Sequence, residues 1–299
     1  MFLQTSKLKG RMILADKIAV NAARCFATLL IAACFVAAGN AQTLFGASSG
    51  GAKAVHGRAY MFRGLIGMID WGMDQLAARI DRIGVAADIQ GYSDWRSAAA
   101  QAISDYRRDP KPITAIGHSI GGDSAVQFAE ALGAAHVPVS LLITYDPTRA
   151  AHAIPANVER YINLYQSSNI LGGGDLEPGR GFHGHYASYN LKDRPEIVHI
   201  NLDKFDAIQA QLAAKVRSAA LRGEGETVPL RLIPPATGAI ELWDSGEPVS
   251  VHNGDTLQTV AAAYHVPLWA LIQLNPKAEH GALNEGEHVV VPRYIGAKR

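Results

Sequence analysis

Residues 58–221 predict an α/β fold, a mostly parallel sheet with helices on both faces, and residues 249–294 predict a small βααβ module. Three observations carry this. Short apolar runs alternate with helically patterned stretches of about a dozen residues, as βαβ units require. One run, Pro112-Ile113-Thr114-Ala115-Ile116, leads straight into Gly117-His118-Ser119-Ile120-Gly121-Gly122, the form of a sharp strand-to-helix turn. Between the two patterned regions, residues 222–248 carry Gly, Pro and charge without a sustained period and read as a linker.

The elements follow in order. Residues 1–41 begin with Lys7, Lys9, Arg11, Lys17 and Arg24, continue with the apolar stretch Cys25 to Ala38, and end in Gly39-Asn40-Ala41. That is the pattern of a secretory signal peptide cut after Ala41, with an apolar core shorter than the ~20 residues that span a bilayer. Ile31-Ala32-Ala33-Cys34 offers a rival processing, lipidation at Cys34. Either way the protein is expected to be exported, to the periplasm or the cell wall. Both cysteines lie in this segment, so the mature chain needs no disulfide and has no thiol nucleophile.

Residues 42–57 form a Gly/Ser/Ala-rich spacer. Ala59 to Phe62 is the first strand. Met73, Leu76, Ala77, Ile80 and Ile83 share one helical face, and Gly84 closes that helix. Val85 to Ile89 is the second strand and Trp95 to Tyr106 the second helix. After the Gly-rich turn a helix runs from about Gly122 to Leu132, followed by strands at Val139 to Thr144 and Val158 to Tyr165. Gln166 to Gly184 is loop-like, Glu196 to Leu202 a short extended piece, and Phe205 to Leu221 a last amphipathic helix.

The Gly-x-Ser-x-Gly turn points to chemistry for a steric reason. A serine held in a strained turn between strand and helix leaves room only for minimal side chains two before and two after it, which Gly117 and Gly121 supply. Ser119 then stands alone above the sheet edge. A serine hydroxyl needs a histidine base, and the base needs a carboxylate to fix its tautomer and stabilise its cation. Asp146 follows the apolar strand Leu141-Leu142-Ile143-Thr144 by two residues, and Pro147 ends regular structure there, so the carboxylate sits on a loop beyond a strand's carboxyl end. Asp175 and Asp193 are the fallback acids. Three histidines are candidate bases: His183 and His185 in a Gly-rich loop, and His199 ahead of the final helix. His118, adjacent to the serine, cannot fold back onto it and reads as packing or support. For a developing oxyanion, Ile120 supplies the backbone N–H after the nucleophile, and Leu65, with Ile66 next, is the second donor in the Arg63-Gly64-Leu65-Ile66-Gly67 loop.

With these residues in place, 58–221 resembles the α/β-hydrolase superfamily of the compact lipase, esterase and thioesterase kind. The resemblance is carried by Arg63-Gly64-Leu65, the Gly117 to Gly122 turn, Asp146-Pro147 and His199. It implies ester or thioester hydrolysis through an acyl-enzyme, and it favours His199 as base, because this fold delivers its histidine just before the last helix. Arg63 stands where many relatives have histidine, and no large cap is visible.

In the C-terminal module Asp255 can cap a helix bearing Leu257, Val260 and Ala261. Pro267 opens a second helix with Leu268, Leu271 and Ile272, and Asn275-Pro276 ends it. Val289 to Val291 can pair with Val249 to Val251. The unit resembles a lysin-motif (LysM) domain. That resemblance implies binding of GlcNAc-containing glycans such as peptidoglycan, at a shallow site between Gly254, Asp255 and Thr256 on one loop and Asn275 and Pro276 on the other.

With 28 basic and 27 acidic side chains the net charge is +1, which gives no reason to expect nucleic acid or an anionic membrane surface as partner. No cofactor is implied, and the eleven histidines show no metal-ligand spacing. Two functions follow: an exported serine hydrolase held at the wall, or a non-catalytic wall-binding protein with an inactive hydrolase-like domain.

Overall fold

A computed structural model describes residues 56–65, 71–221, 230–278 and 283–294. The expected signal peptide, its cleavage after Ala41 and the alternative lipidation at Cys34 lie outside the described residues.

Seven strands form one sheet in the order β2-β1-β3-β4-β5-β6-β7. They are β1 (Gly57–Arg63), β2 (Val85–Gly91), β3 (Ile113–His118), β4 (Leu141–Tyr145), β5 (Arg160–Tyr165), β6 (His185–Asn190) and β7 (Leu230–Leu232). Every pairing in it is parallel. Helices α1 (Trp71–Arg82), α2 (Trp95–Arg108), α3 (Ile120–Ala134) and α4 (Asp206–Leu221) cover its faces. The period-2 alternation of the strands sorts their side chains. Ala59 and Met61 of β1 face the layer built by Met73, Leu76 and Ile80 of α1 and Ile208, Leu212 and Val216 of α4. Tyr60 and Phe62 face Ala98 and Ala102 of α2 and Phe128 and Leu132 of α3. β3, fully buried along its length, lies inside the sheet between β1 and β4. Gly84 ends α1 with φ 85°, a left-handed conformation that suits glycine at a helix end.

Three readings of the sequence are corrected. β6 lies where no strand was expected, because Ala187, Ser188 and Asn190 break the apolar run that marks its neighbours. Residues 196–202 are turns leading into a 3-10 helix at Leu202–Lys204, not an extended piece. Residues 230–232, inside the stretch read as a linker, supply the sheet's seventh strand.

The C-terminal module pairs β8 (Trp243–Ser250) antiparallel with β9 (His288–Tyr294), with Val249 opposite Val289. Between them lie α5 (Leu257–Tyr264) and α6 (Leu268–Leu274). The cap of α5 is Thr256 rather than Asp255. Thr256 accepts from the Thr259 backbone N–H while the Thr259 hydroxyl accepts from the Thr256 N–H, a reciprocal capping box. The carboxylate of Asp255 instead accepts the His252 N–H at 2.8 Å. Leu257, Val260, Leu271 and Val289 join the same apolar layer as α1 and α4, so the module shares one core with that face of the sheet. Among the described residues no helix is long and apolar enough to cross a membrane.

Candidate active site

Ser119 has φ 57° and ψ −130°, a backbone state that costs of order 1–3 kcal/mol for a residue with a Cβ. The surroundings enforce it. Its N–H donates to the Tyr145 carbonyl at 2.8 Å, and its carbonyl accepts from Gly122 N–H at 2.8 Å. A Cβ on Gly117 would lie 2.0 Å from the Gly121 carbonyl oxygen, and one on Gly121 would lie 2.2 Å from that of Phe62. The two glycines are therefore obligatory, for the steric reason the sequence pattern gives. The second contact also seats the elbow directly on the end of β1.

Asp146 follows β4 and is fully buried, with φ 47°. Its Oδ1 accepts the N–H groups of Gln166 (3.0 Å) and Gly173 (2.8 Å). Its Oδ2 accepts from Asn169 Nδ2 (2.5 Å) and from His199 Nδ1 (2.7 Å). Burial alone would raise this carboxyl, but the four hydrogen bonds outweigh it and hold the group below the ordinary carboxylate range. An ionised, acceptor-only Asp146 obliges His199 to carry its proton on Nδ1. That leaves Nε2 as acceptor, 2.9 Å from Ser119 Oγ. The three side chains expected from the sequence thus form one connected relay, nucleophile to base to acid.

Two supports escape the sequence reading. The Gly172-Gly173-Gly174 run, read only as a loop, wraps the carboxylate: a Cβ on Gly172 would come within 2.5 Å of Asp146 Oδ2. Gln166 also donates through Nε2 to the Ile197 carbonyl at 3.0 Å, two residues before the base. On the other side, buried His118 lies 2.8 Å from the His199 carbonyl oxygen, so its Nε2 carries the proton and donates. Their rings stand 5.1 Å apart. His118 is thus a support, in the role its position suggested. Asp123 on α3 accepts the Thr148 N–H (2.9 Å) and hydroxyl (2.5 Å), tying the loop after Asp146 to the helix after Ser119.

The fallback residues lie elsewhere. His185 opens β6 and pairs in register with Arg160, at the amino end of the parallel sheet and a strand's length from Ser119. Burial and the nearby Arg160 lower its pKa. His183 is an exposed loop residue. Asp175 accepts from Ser188 Oγ (2.6 Å) and Tyr165 (3.0 Å) and lies 3.4 Å from Arg231. Asp193 is exposed.

Ile120 opens α3, so its N–H belongs to the first turn, whose N–H groups have no partner inside the helix. Leu65 lies in the loop that leaves β1 beside the elbow, with its side chain 65% exposed. The alternative donor Ile66 lies outside the described residues. Arg63 is ion-paired with Asp74 of α1. Among the described residues no cluster of His, Cys, Asp and Glu could hold a metal ion.

In the C-terminal module, Gly254 (φ 88°) has open space where a Cβ would stand. Asn275 spends its side chain internally, donating to the Leu271 (2.8 Å) and Val290 (2.9 Å) carbonyls and accepting the Val290 N–H (2.8 Å). Pro276 begins a 3-10 turn. Asn275 is thus fastened to β9, while on the other loop the Asp255 carbonyl accepts the Leu283 N–H at 3.1 Å.

Comparison with models of protein families matches residues 249–292 to the LysM domain. No curated protein matches the chain. Among solved structures, a protein of the α/β hydrolase superfamily from Xanthomonas campestris pv. campestris is 17% identical, over 41% of this chain and 76% of that one, with a TM-score of 0.29. The NocB thioesterase domain, in covalent complex with a fluorophosphonate nocardicin G analog, is 15% identical over 56% of this chain and 95% of that one, at 0.34. A structure from work on the metagenome-derived lipolytic enzymes LipS and LipT is 16% identical over 32% of this chain and 44% of that one, at 0.26. Likenesses this weak add nothing to what the sheet order and the elbow already say. The chain has an α/β-hydrolase-like fold followed by a LysM domain.

Proposed function

We propose that the chain is an exported serine hydrolase that cleaves ester or thioester bonds through an acyl-enzyme, and that its LysM domain binds GlcNAc-containing glycan such as peptidoglycan. The observation that carries the first part is the unbroken relay from Ser119 Oγ to His199 (2.9 Å) and from His199 to a buried, ionised Asp146 (2.7 Å).

In the acylation step Ser119 Oγ attacks the substrate carbonyl carbon and its proton passes to His199 Nε2. The carbonyl oxygen becomes an oxyanion, for which the Ile120 and Leu65 N–H groups are the donors. Asp146, accepting from Nδ1, stabilises the imidazolium. Collapse expels the alkoxide or thiolate, which takes the proton from Nε2 and leaves the acyl group on Ser119. A water, deprotonated by the same Nε2, then attacks the ester, and the acid departs as Ser119 recovers its proton.

The test is stopped-flow hydrolysis of p-nitrophenyl butyrate. A burst of nitrophenolate equal to the enzyme concentration, absent in Ser119→Ala, is the expected result, and a folded wild type with no turnover contradicts the reading. For the LysM domain, the full-length chain is expected to sediment with insoluble peptidoglycan and to be released by soluble GlcNAc oligomers. Sedimentation indifferent to those oligomers contradicts glycan recognition.

A further inference from the structure

Eight large apolar side chains are prominently exposed among the described residues, and six stand around the candidate active site: Leu65, Ile170, Leu171, Val198 and Ile200 on loops, and Trp71 at the start of α1. Their neighbours make the placement specific. Val198 and Ile200 flank His199, and Ile170 follows Asn169, whose amide holds Asp146 Oδ2. Leu65 is the candidate oxyanion donor. The other two exposed residues, Leu221 and Tyr264, lie at helix ends remote in sequence from these loops.

Exposure decides what such a rim can do. Ile170 is 93% and Leu171 71% exposed. Side chains so open line no pocket, and only a body arriving from outside can take them out of water. The chemistry of the loops narrows that body. Gln166 to Gly174 and Ile197 to Leu202 contain no Asp, Glu, Lys or Arg, and two cations bond their backbone carbonyls, Arg149 at Ser167 and Lys204 at Ile200, where they suit the phosphate edge of a lipid phase. Trp71, 59% exposed with the Lys204 ammonium 5.6 Å from its ring centre, has the amphipathic character that favours a boundary between apolar phase and water. A concentration of apolar surface on one rim is uncommon on a soluble face without a partner.

We propose that this rim is a lipid-docking surface through which the site takes its ester from a lipid phase, so that the substrate's acyl group is a hydrocarbon chain. The substrate part rests on the hydrolase reading; the docking part does not.

The test is sedimentation of the full-length chain with phosphatidylcholine vesicles, which needs no catalysis. Wild type is expected to bind, and Ile170→Ser/Leu171→Ser to bind about tenfold or more weakly, as the loss of two inserting side chains implies. Leu221→Ser, which removes exposed apolar surface outside the rim, is expected to bind as wild type. Equal binding by wild type and the double variant, or no binding by wild type, overturns the proposal. Absent binding together with a dimer that the double variant splits assigns the rim to a second copy, and overturns it too. A fluorophosphonate that labels no serine while vesicle binding persists would remove the substrate claim and leave the docking surface standing.

Discussion

Asp146 shows how a buried carboxylate is kept charged for a purpose. Four hydrogen bonds outweigh its burial, so it stays ionised through the working pH range and keeps the His199 proton on Nδ1. Asp146→Asn should preserve the fold but favour the wrong tautomer, lowering kcat by about 10³–10⁴-fold. Because the folded-state pKa is depressed, the ionised group stabilises the fold above its ordinary value of 3.8, and this contribution is lost as pH falls through the lowered value. Urea titrations at stepped acid pH should show a steeper decline in wild type than in Asp146→Asn, which keeps the other depressed carboxylates, Asp105 and Glu196. His118 is a positioning residue, acting through the His199 carbonyl. His118→Ala should lower kcat roughly 10–100-fold, the size of one lost buried hydrogen bond, with KM little changed. His118→Gln, which keeps a donor, should recover part of it; equal loss in both variants would make the residue mere packing. Ser119 and Asp146 were legible because strand ends and turn residues mark them. His199 was set apart from His183 and His185 only by the resemblance, because nothing local shows which loop the sheet order carries back to the elbow.

At the scale of elements, the elbow works because β1, β3 and α3 crowd it from three sides. Gly117→Ala and Gly121→Ala each put a Cβ about 2 Å from a backbone oxygen, contacts that only backbone movement can relieve. Each should cost about 2–3 kcal/mol in denaturant unfolding, and should also reduce the rate of acylation, since the displaced element carries Ser119. The helices and apolar strands were legible from period alone, within a residue or two at most ends. β6 and β7 were not. β6 alternates around small and polar residues, and β7 is a three-residue edge strand whose place depends on pairing with Tyr189 and its neighbours rather than on its own pattern. The 196–202 segment reads as extended by composition, yet Asn201 accepts the Val198 N–H at 2.8 Å and turns it back.

In the whole molecule, the LysM domain is built onto the sheet domain rather than hung from it. Lys215 of α4 and Asp244 of β8 form a buried ion pair. Gln211 bonds the Ile240 carbonyl (2.8 Å) and the Leu242 N–H (2.6 Å), and Gln273 of α6 bonds both backbone groups of Ile233 at 2.8 Å. Lys215→Ala leaves a buried carboxylate without its closest cation and should destabilise by about 3–5 kcal/mol. Calorimetry should show a single transition for wild type; two separate transitions would contradict a shared core. The sequence hid this docking because its hydrogen bonds and ion pair come from residues, Gln211, Lys215 and Asp244, that look like solvated surface. The central claim concerns one atom, Ser119 Oγ, and the most direct measurement is mass-spectrometric mapping of the adduct after the intact chain reacts with a fluorophosphonate. The relay geometry predicts one phosphonylated residue, Ser119, with labelling abolished in Ser119→Ala and sharply slowed in His199→Ala. A folded protein that takes no label at Ser119, or labels as fast without His199, would contradict it.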